Sequence, residues 1–152
     1  MIDSPYLLQR CQVLQRRLET DLLERSQSVE VPQVQDKLRQ EYALAFEKKR
    51  TGSAYEVWRQ EMITQHAAAW VITCVFVRFL EDNELLHPPR ISGRYTEGDA
   101  HCRWLLAREQ HDQCFLRHRE HTDRDYLLSV FDELKAVPAL AGLFGDHNPV
   151  SY

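Results

Sequence analysis

Apolar residues return along this chain at steps of three and four, the spacing of one face of an α-helix. The first run is Leu7, Cys11, Leu14, Leu18 and Leu22, with Gln9, Arg16, Arg17, Glu19 and Glu24 on the other faces. Ser4 is expected to cap this helix, and Pro5 suits the first helical position, where no N–H donor is needed. A break over residues 26–31 precedes a second helix starting at Pro32. Its inner face is Val34, Leu38, Tyr42, Ala45 and Phe46. Lys48, Lys49 and Arg50 end it, where cations complement the helix dipole, and Gly52 is expected to close it.

Ser53 and Glu56 stand at capping-box spacing for a third helix. Tyr55, Trp58 and Met62 share a face, and the pattern runs on through 67–80 to about Leu86, as one long helix or two with a kink. Pro88 and Pro89 end it. An apolar middle on all sides places this helix at the centre of the fold. Residues 91–98 form the longest loop. Asp99 is expected to cap a fourth helix carrying Trp104, Ala107, His111, Cys114, Phe115 and His118. Thr122 and Asp125 restart a fifth, with Tyr126, Leu127, Val130, Phe131 and Leu134 inside, and residues 138–144 add a short turn. Neither a strand pattern nor an internal repeat stands out. The expectation is an all-α fold: a compact helical bundle of about five helices around a central apolar helix, forming a single domain over residues 1–152.

Composition supports this picture. A length of 152 residues fits one hydrophobic core. The 43% hydrophobic and 28% charged shares are globular rather than disordered. Five glycines and six prolines are few for a β-rich fold with many turns. The net charge of -4 argues against a dedicated nucleic-acid binder, which carries a basic excess, but leaves room for a local basic patch. The four cysteines come without a secretory signal pattern, so reduced thiols and a cytoplasmic location are expected. The apolar run 67–80 is short for a membrane span and contains Arg78, so no membrane partner is expected.

Three clusters could carry chemistry. His111, Cys114, His118 and His121 are spaced by three, four and three. If one helix carried them all, the outer pair would lie about 15 Å apart, too far for a single tetrahedral metal ion. A zinc site would need further ligands, such as His101 and Cys102, and a metal-dependent enzyme would use His111, Cys114 and His118. A packed cysteine beside solvent-facing histidines is the simpler reading, and no bound metal is expected. Arg78, Glu81 and Asp82 end the apolar helix. An acid–base pair or a phosphate clamp is one reading; an ion-paired helix end, with Arg78 reaching both carboxylates, is the simpler one. Lys48, Lys49 and Arg50, with Arg39 and Arg59 nearby, are the candidate DNA-contact residues, against a plain solvated helix end. Gly142 and Gly145 follow no strand and more simply end a helix. Catalytic signatures of the GxSxG and HExxH types are absent from the sequence. Neither catalytic nor cofactor-binding residues are therefore assigned.

Two stretches carry a family resemblance. One comprises Trp58-Arg59, Thr64-Gln65, Ala69-Trp70-Val71, Cys74-Val75-Phe76-Val77-Arg78-Phe79 and Glu81-Asp82-Asn83. The other runs from His121-Thr122-Asp123-Arg124-Asp125-Tyr126-Leu127 to Pro138, Ala141-Gly142-Leu143-Phe144 and His147-Asn148-Pro149. With the opening Met1-Ile2-Asp3-Ser4, they resemble the N-terminal helical region of the PglX family, the adenine-specific DNA methyltransferases of type 2 BREX (phage growth limitation) defence systems. The resemblance implies a non-catalytic module serving domain packing, DNA holding or partner docking. Its implied partners are a C-terminal methyltransferase core, DNA and other BREX proteins. S-adenosylmethionine would belong to the core, not to this chain. The family holds its flipped adenine with an Asn-Pro-Pro-aromatic motif. Here Asn148-Pro149 is followed by Val150 and Ser151, so Asn148 is expected to mark the exit from the helical module rather than an active site. Such proteins are far longer, so the chain is expected to be either a fragment or a stand-alone small interaction protein, a regulator or inhibitor resembling the module.

Overall fold

The computed structural model describes residues 3–94, 97–99 and 101–145. Its elements are five helices: α1 (Ser4–Gln27), α2 (Pro32–Glu47), α3 (Tyr55–Asp82), α4 (Arg103–Arg117) and α5 (Asp123–Lys135). Among the described residues there is no strand, so the all-α expectation holds. Asn148 and Pro149 lie outside the described residues. The chain divides into two compact units, Met1–Val71 and Ile72–Tyr152.

In the first unit, α1 is capped one residue earlier than expected. The Asp3 carboxylate, not Ser4, accepts the Tyr6 N–H at 3.1 Å. An aspartate here satisfies a free N–H and also meets the positive end of the helix dipole. The predicted stripe of α1 is only partly covered: Cys11, Leu18 and Leu22 are half-buried, while Leu7 and Leu14 are exposed. Helix α2 touches α1 and, like it, fully buries no apolar residue.

The end of α2 also differs from expectation. Arg50 N–H reaches the Ala45 carbonyl and Lys49 N–H the Phe46 carbonyl, the paired bonds of a Schellman motif. That motif puts its left-handed residue immediately after the C-cap, so Lys49 takes φ 54° and Gly52 lies beyond the closure. Tyr42 then anchors the returning chain. Its hydroxyl donates to the Ser53 carbonyl at 2.9 Å, and its ring meets Tyr55 edge-on at 5.4 Å. The start of α3 buries Trp58, Ile63, Ala67 and Val71.

Helix α3 is a single helix of 28 residues. It extends past the 67–80 run at both ends, and by length and composition it could cross a membrane, which the shorter run could not. It carries core residues of both units, among them Ala67 and Val77, each with no exposed surface. It ends in a second Schellman closure: Leu85 N–H bonds the Leu80 carbonyl, Glu84 N–H the Glu81 carbonyl, and Glu84 takes φ 58°. The prolines follow this stop instead of causing it.

In the second unit, α4 and α5 contribute Ala107, Tyr126, Val130, Phe131 and Leu134 to a core shared with Val77, Leu80 and Phe144. The Phe144 ring lies 6.2 Å from Phe76 and 5.8 Å from Phe131, which seats the short turn after α5. Asp99 does not cap α4. Its carboxylate accepts the His101 N–H at 2.9 Å in a preceding turn, and Cys102 is the N-cap, without a side-chain bond. The cap of α5 is as expected: Thr122 and Asp125 form a reciprocal capping box.

Candidate functional site

The basic candidates Lys48, Lys49 and Arg50 are all exposed on the closure of α2. Lys49 and Arg50 line a shallow depression with Phe46, Glu47, Thr51 and Gly52. Arg39 is exposed on α2. Arg59 is committed elsewhere: it pairs with Glu56, its guanidinium lies 5.7 Å from the Tyr55 ring centre, and its side chain is only 12% exposed. The accessible charge among these candidates is therefore the knuckle 48–50, with Arg39 exposed farther up α2.

The cluster at the end of α3 divides by role. Arg78 pairs with Asp82, with contacts of 2.8 and 3.0 Å, as its four-residue spacing predicts. Glu81 does not join them. Its carboxylate is fully buried and accepts three successive backbone N–H groups, from Arg90, Ile91 (2.8 Å) and Ser92 (3.1 Å). Three amide dipoles converging on one carboxylate make the environment such a buried charge needs. The sequence signal for this role is faint but present: Glu81 stands four residues after the buried Val77, on the core stripe.

Glu81 thereby fixes Arg90. The Arg90 carbonyl accepts the Tyr126 hydroxyl at 2.8 Å, and its guanidinium bonds Gln110 at 3.0 Å and Glu133 at 2.7 Å. Burial pushes the Tyr126 hydroxyl pKa up to about 12, so Tyr126 serves as a neutral donor. Beside this network lies a cavity of about 280 Å³, lined by Arg90, Trp104, Arg108, His111, Asp123 and Tyr126 among others. Arg108 stacks over Trp104 at 5.6 Å, and His111 bonds Asp123 at 3.0 Å. Cys74, on α3, is no reactive thiol: burial pushes its pKa up to about 11.

The histidine stripe does not stay on one helix. Helix α4 ends at Arg117, with His118 as its C-cap, and the chain turns at once into α5. His121 therefore folds back towards Cys114, its Nδ1 lying 4.0 Å from the Cys114 sulfur. The His118 and His121 rings stack at 4.5 Å. The separation of about 15 Å assumed a continuous helix, which the structure replaces by a turn. His111 faces away, to Asp123, Phe115 and Tyr126. Glu120, which spacing alone did not single out, joins the group: a ligand atom from each of His118, Glu120 and His121 lies within 4.8 Å of the other two.

Comparison with known proteins gives one curated relative. The chain is 35% identical over 151 residues to the adenine-specific methyltransferase PglX of Streptomyces coelicolor, a match covering 99% of this chain and 12% of the relative. The resemblance read from the sequence thus holds, and the match is consistent with an N-terminal region of PglX. No protein-family model matches the chain, and no solved structure does.

Proposed function

We propose that this chain is a non-catalytic helical module of a PglX-type adenine-specific methyltransferase acting in BREX phage defence in the cytoplasm. The observation that carries the reading is similarity along nearly the whole chain to a small share of PglX. The module docks onto the methyltransferase core, which brings the S-adenosylmethionine site, and lends a basic knuckle to DNA. The exposed side of α1 supports docking. Tyr6, Leu7, Val13 and Leu14 share one side of the helix and are all at least 40% exposed, an apolar surface suited to a protein partner. Lys49 supports the DNA contact. It is exposed between the exposed Lys48 and Arg50, so three adjacent cations face solvent on one helix closure.

The test separates the two surfaces. The chain is co-expressed with a tagged PglX core lacking the matching region, and retention on the tag is measured. Retention is expected for the native chain and loss for Leu7→Asp/Leu14→Asp. Retention of the double variant at the native level overturns docking through α1. For DNA, duplex binding is titrated against salt with the assembled protein. Replacing Lys48, Lys49 and Arg50 by alanine should reduce the slope of log affinity against log salt by about 3. An unchanged slope removes the knuckle from the interface. The isolated chain should bind no S-adenosylmethionine in calorimetry; stoichiometric binding would overturn the non-catalytic reading.

A further inference from the structure

We propose that the turn between α4 and α5 is a metal site, in which Cys114, His118, Glu120 and His121 together bind one zinc-class divalent ion. This departs from the expectation that the chain binds no metal.

The turn gathers His118, Glu120 and His121 and sets Cys114 beside His121. Cys114 stands on the last turn of α4, His118 is its C-cap, and His121 directly precedes the α5 N-cap Thr122. Backbone bonds hold the segment: His118 N–H to the Cys114 carbonyl at 2.9 Å, and His121 N–H to the His118 carbonyl at 3.1 Å. The Thr122–Asp125 capping box fixes its far side. The ligand atoms of His118, Glu120 and His121 are within 4.8 Å of one another, and the Cys114 sulfur is 4.0 Å from His121 Nδ1. In a tetrahedral zinc site, bonds of about 2.0–2.3 Å leave neighbouring ligand atoms about 3.3–3.6 Å apart. Among His118, Glu120 and His121 the remaining closure is on the order of 1 Å. Because the two imidazoles stack face to face, one ring must also rotate to aim its nitrogen at the shared ion, with Cys114 following from beside His121.

The donor chemistry selects the ion. One thiolate, two imidazoles and one carboxylate form a mixed sulfur, nitrogen and oxygen set that suits zinc, and cobalt(II) as its spectroscopic substitute, better than calcium or magnesium, which prefer oxygen alone. On binding, the Cys114 S–H bond gives way to a sulfur–metal bond and the proton leaves to solvent. The carboxylate and thiolate then balance the charge of the divalent ion. His118 and Glu120 are exposed, which leaves an entry path. All four donors flank one short turn, so the ion would staple the end of α4 to the start of α5. That makes it a structural ion rather than a catalytic centre with an open position.

The test uses the whole chain, stripped with a chelator and kept reduced with a non-coordinating phosphine. Cobalt(II) is titrated in and the visible and near-ultraviolet spectra are recorded. The expected result is a tetrahedral ligand-field band saturating at one equivalent, with a thiolate-to-cobalt charge-transfer band. Cys114→Ser should lose the charge-transfer band, and His118→Ala/His121→Ala should lose both bands while circular dichroism stays helical. If the double variant loses helix, His118→Ala alone, at an exposed position, gives the same reading. Absence of a tetrahedral band in the native chain overturns the site, as does an unchanged spectrum in the Cys114 and His118 variants. Neither outcome bears on docking or DNA contact.

Discussion

Glu81 and Ile91 stand ten residues apart, and one oxygen of the buried Glu81 carboxylate accepts the Ile91 backbone N–H at 2.8 Å. The same carboxylate accepts Arg90 and Ser92, so a helix end and a loop are tied through one side chain. Removing it leaves three amide donors without their acceptor. Glu81→Ala should cost about 3 kcal/mol or more, and Glu81→Gln, which keeps one carbonyl acceptor, about 1–2 kcal/mol. Urea denaturation measures both. A loss below about 1 kcal/mol for the alanine variant would show that the loop is held by other contacts.

Gly93 meets α4 at closer range than any other residue type tolerates. A Cβ built there falls 2.3 Å from the Cβ of Arg103 and 2.4 Å from its carbonyl carbon. Backbone cannot swing aside as a flexible side chain can. Gly93→Ala should therefore destabilise by about 2 kcal/mol or more, in the range of overpacked cores. Gly142, whose Cβ would meet nothing within 4 Å, is the control: Gly142→Ala should be near neutral. Equal thermal midpoints for the two variants would contradict the close approach.

Lys49 closes α2 with φ 54°. Lys49→Gly should raise stability by about 1 kcal/mol, since glycine carries no Cβ penalty in this region. The same change should weaken DNA binding by the assembled protein if the lysine charge is used. A variant that gains stability and keeps full DNA affinity would leave the strained lysine without a role.

The α5 cap gives a pH signature. The backbone N–H and hydroxyl of Thr122 bond the Asp125 carboxylate and lower its pKa, with smaller help from the charges of His121 and Arg124. A folded pKa below the unfolded one contributes stability above the ordinary carboxylate value, and that stability is lost as pH falls through the folded value. Native α5 should thus begin to weaken below about pH 4. Asp125→Asn should remove that part of the pH dependence, read as the helical signal at 222 nm, roughly the standard wavelength for helix content. Thr122→Ala, which removes the cap donor and acceptor, should cost about 1 kcal/mol at neutral pH. An acid profile identical in Asp125→Asn and native protein would count against the cap as its source.

The helices were legible because their signals are local. Pro32 opens α2, Thr122 and Asp125 cap α5, and Arg78 finds Asp82, all through spacings within one or two turns. The helix ends depart from those signals for one reason. Residue type points to Ser4 and Asp99 as caps, yet only chain geometry decides which side chain meets a free N–H. Gly52 was expected to close α2 because glycine favours a left-handed backbone, yet the closing bonds selected Lys49.

By itself, the sequence determined the helical class, the order of the five helices, the basic knuckle at 48–50 and the likeness to PglX. Each depends on residue type at fixed spacing, or on an ordered string of residues. Only the tertiary structure decided that Glu81 turns inward to three amides instead of pairing with Arg78. It alone decided that Gly93 must stay small for Arg103, and that His121 folds back on Cys114. Those relations depend on where distant backbone segments meet and where a helix stops, which periodicity does not encode.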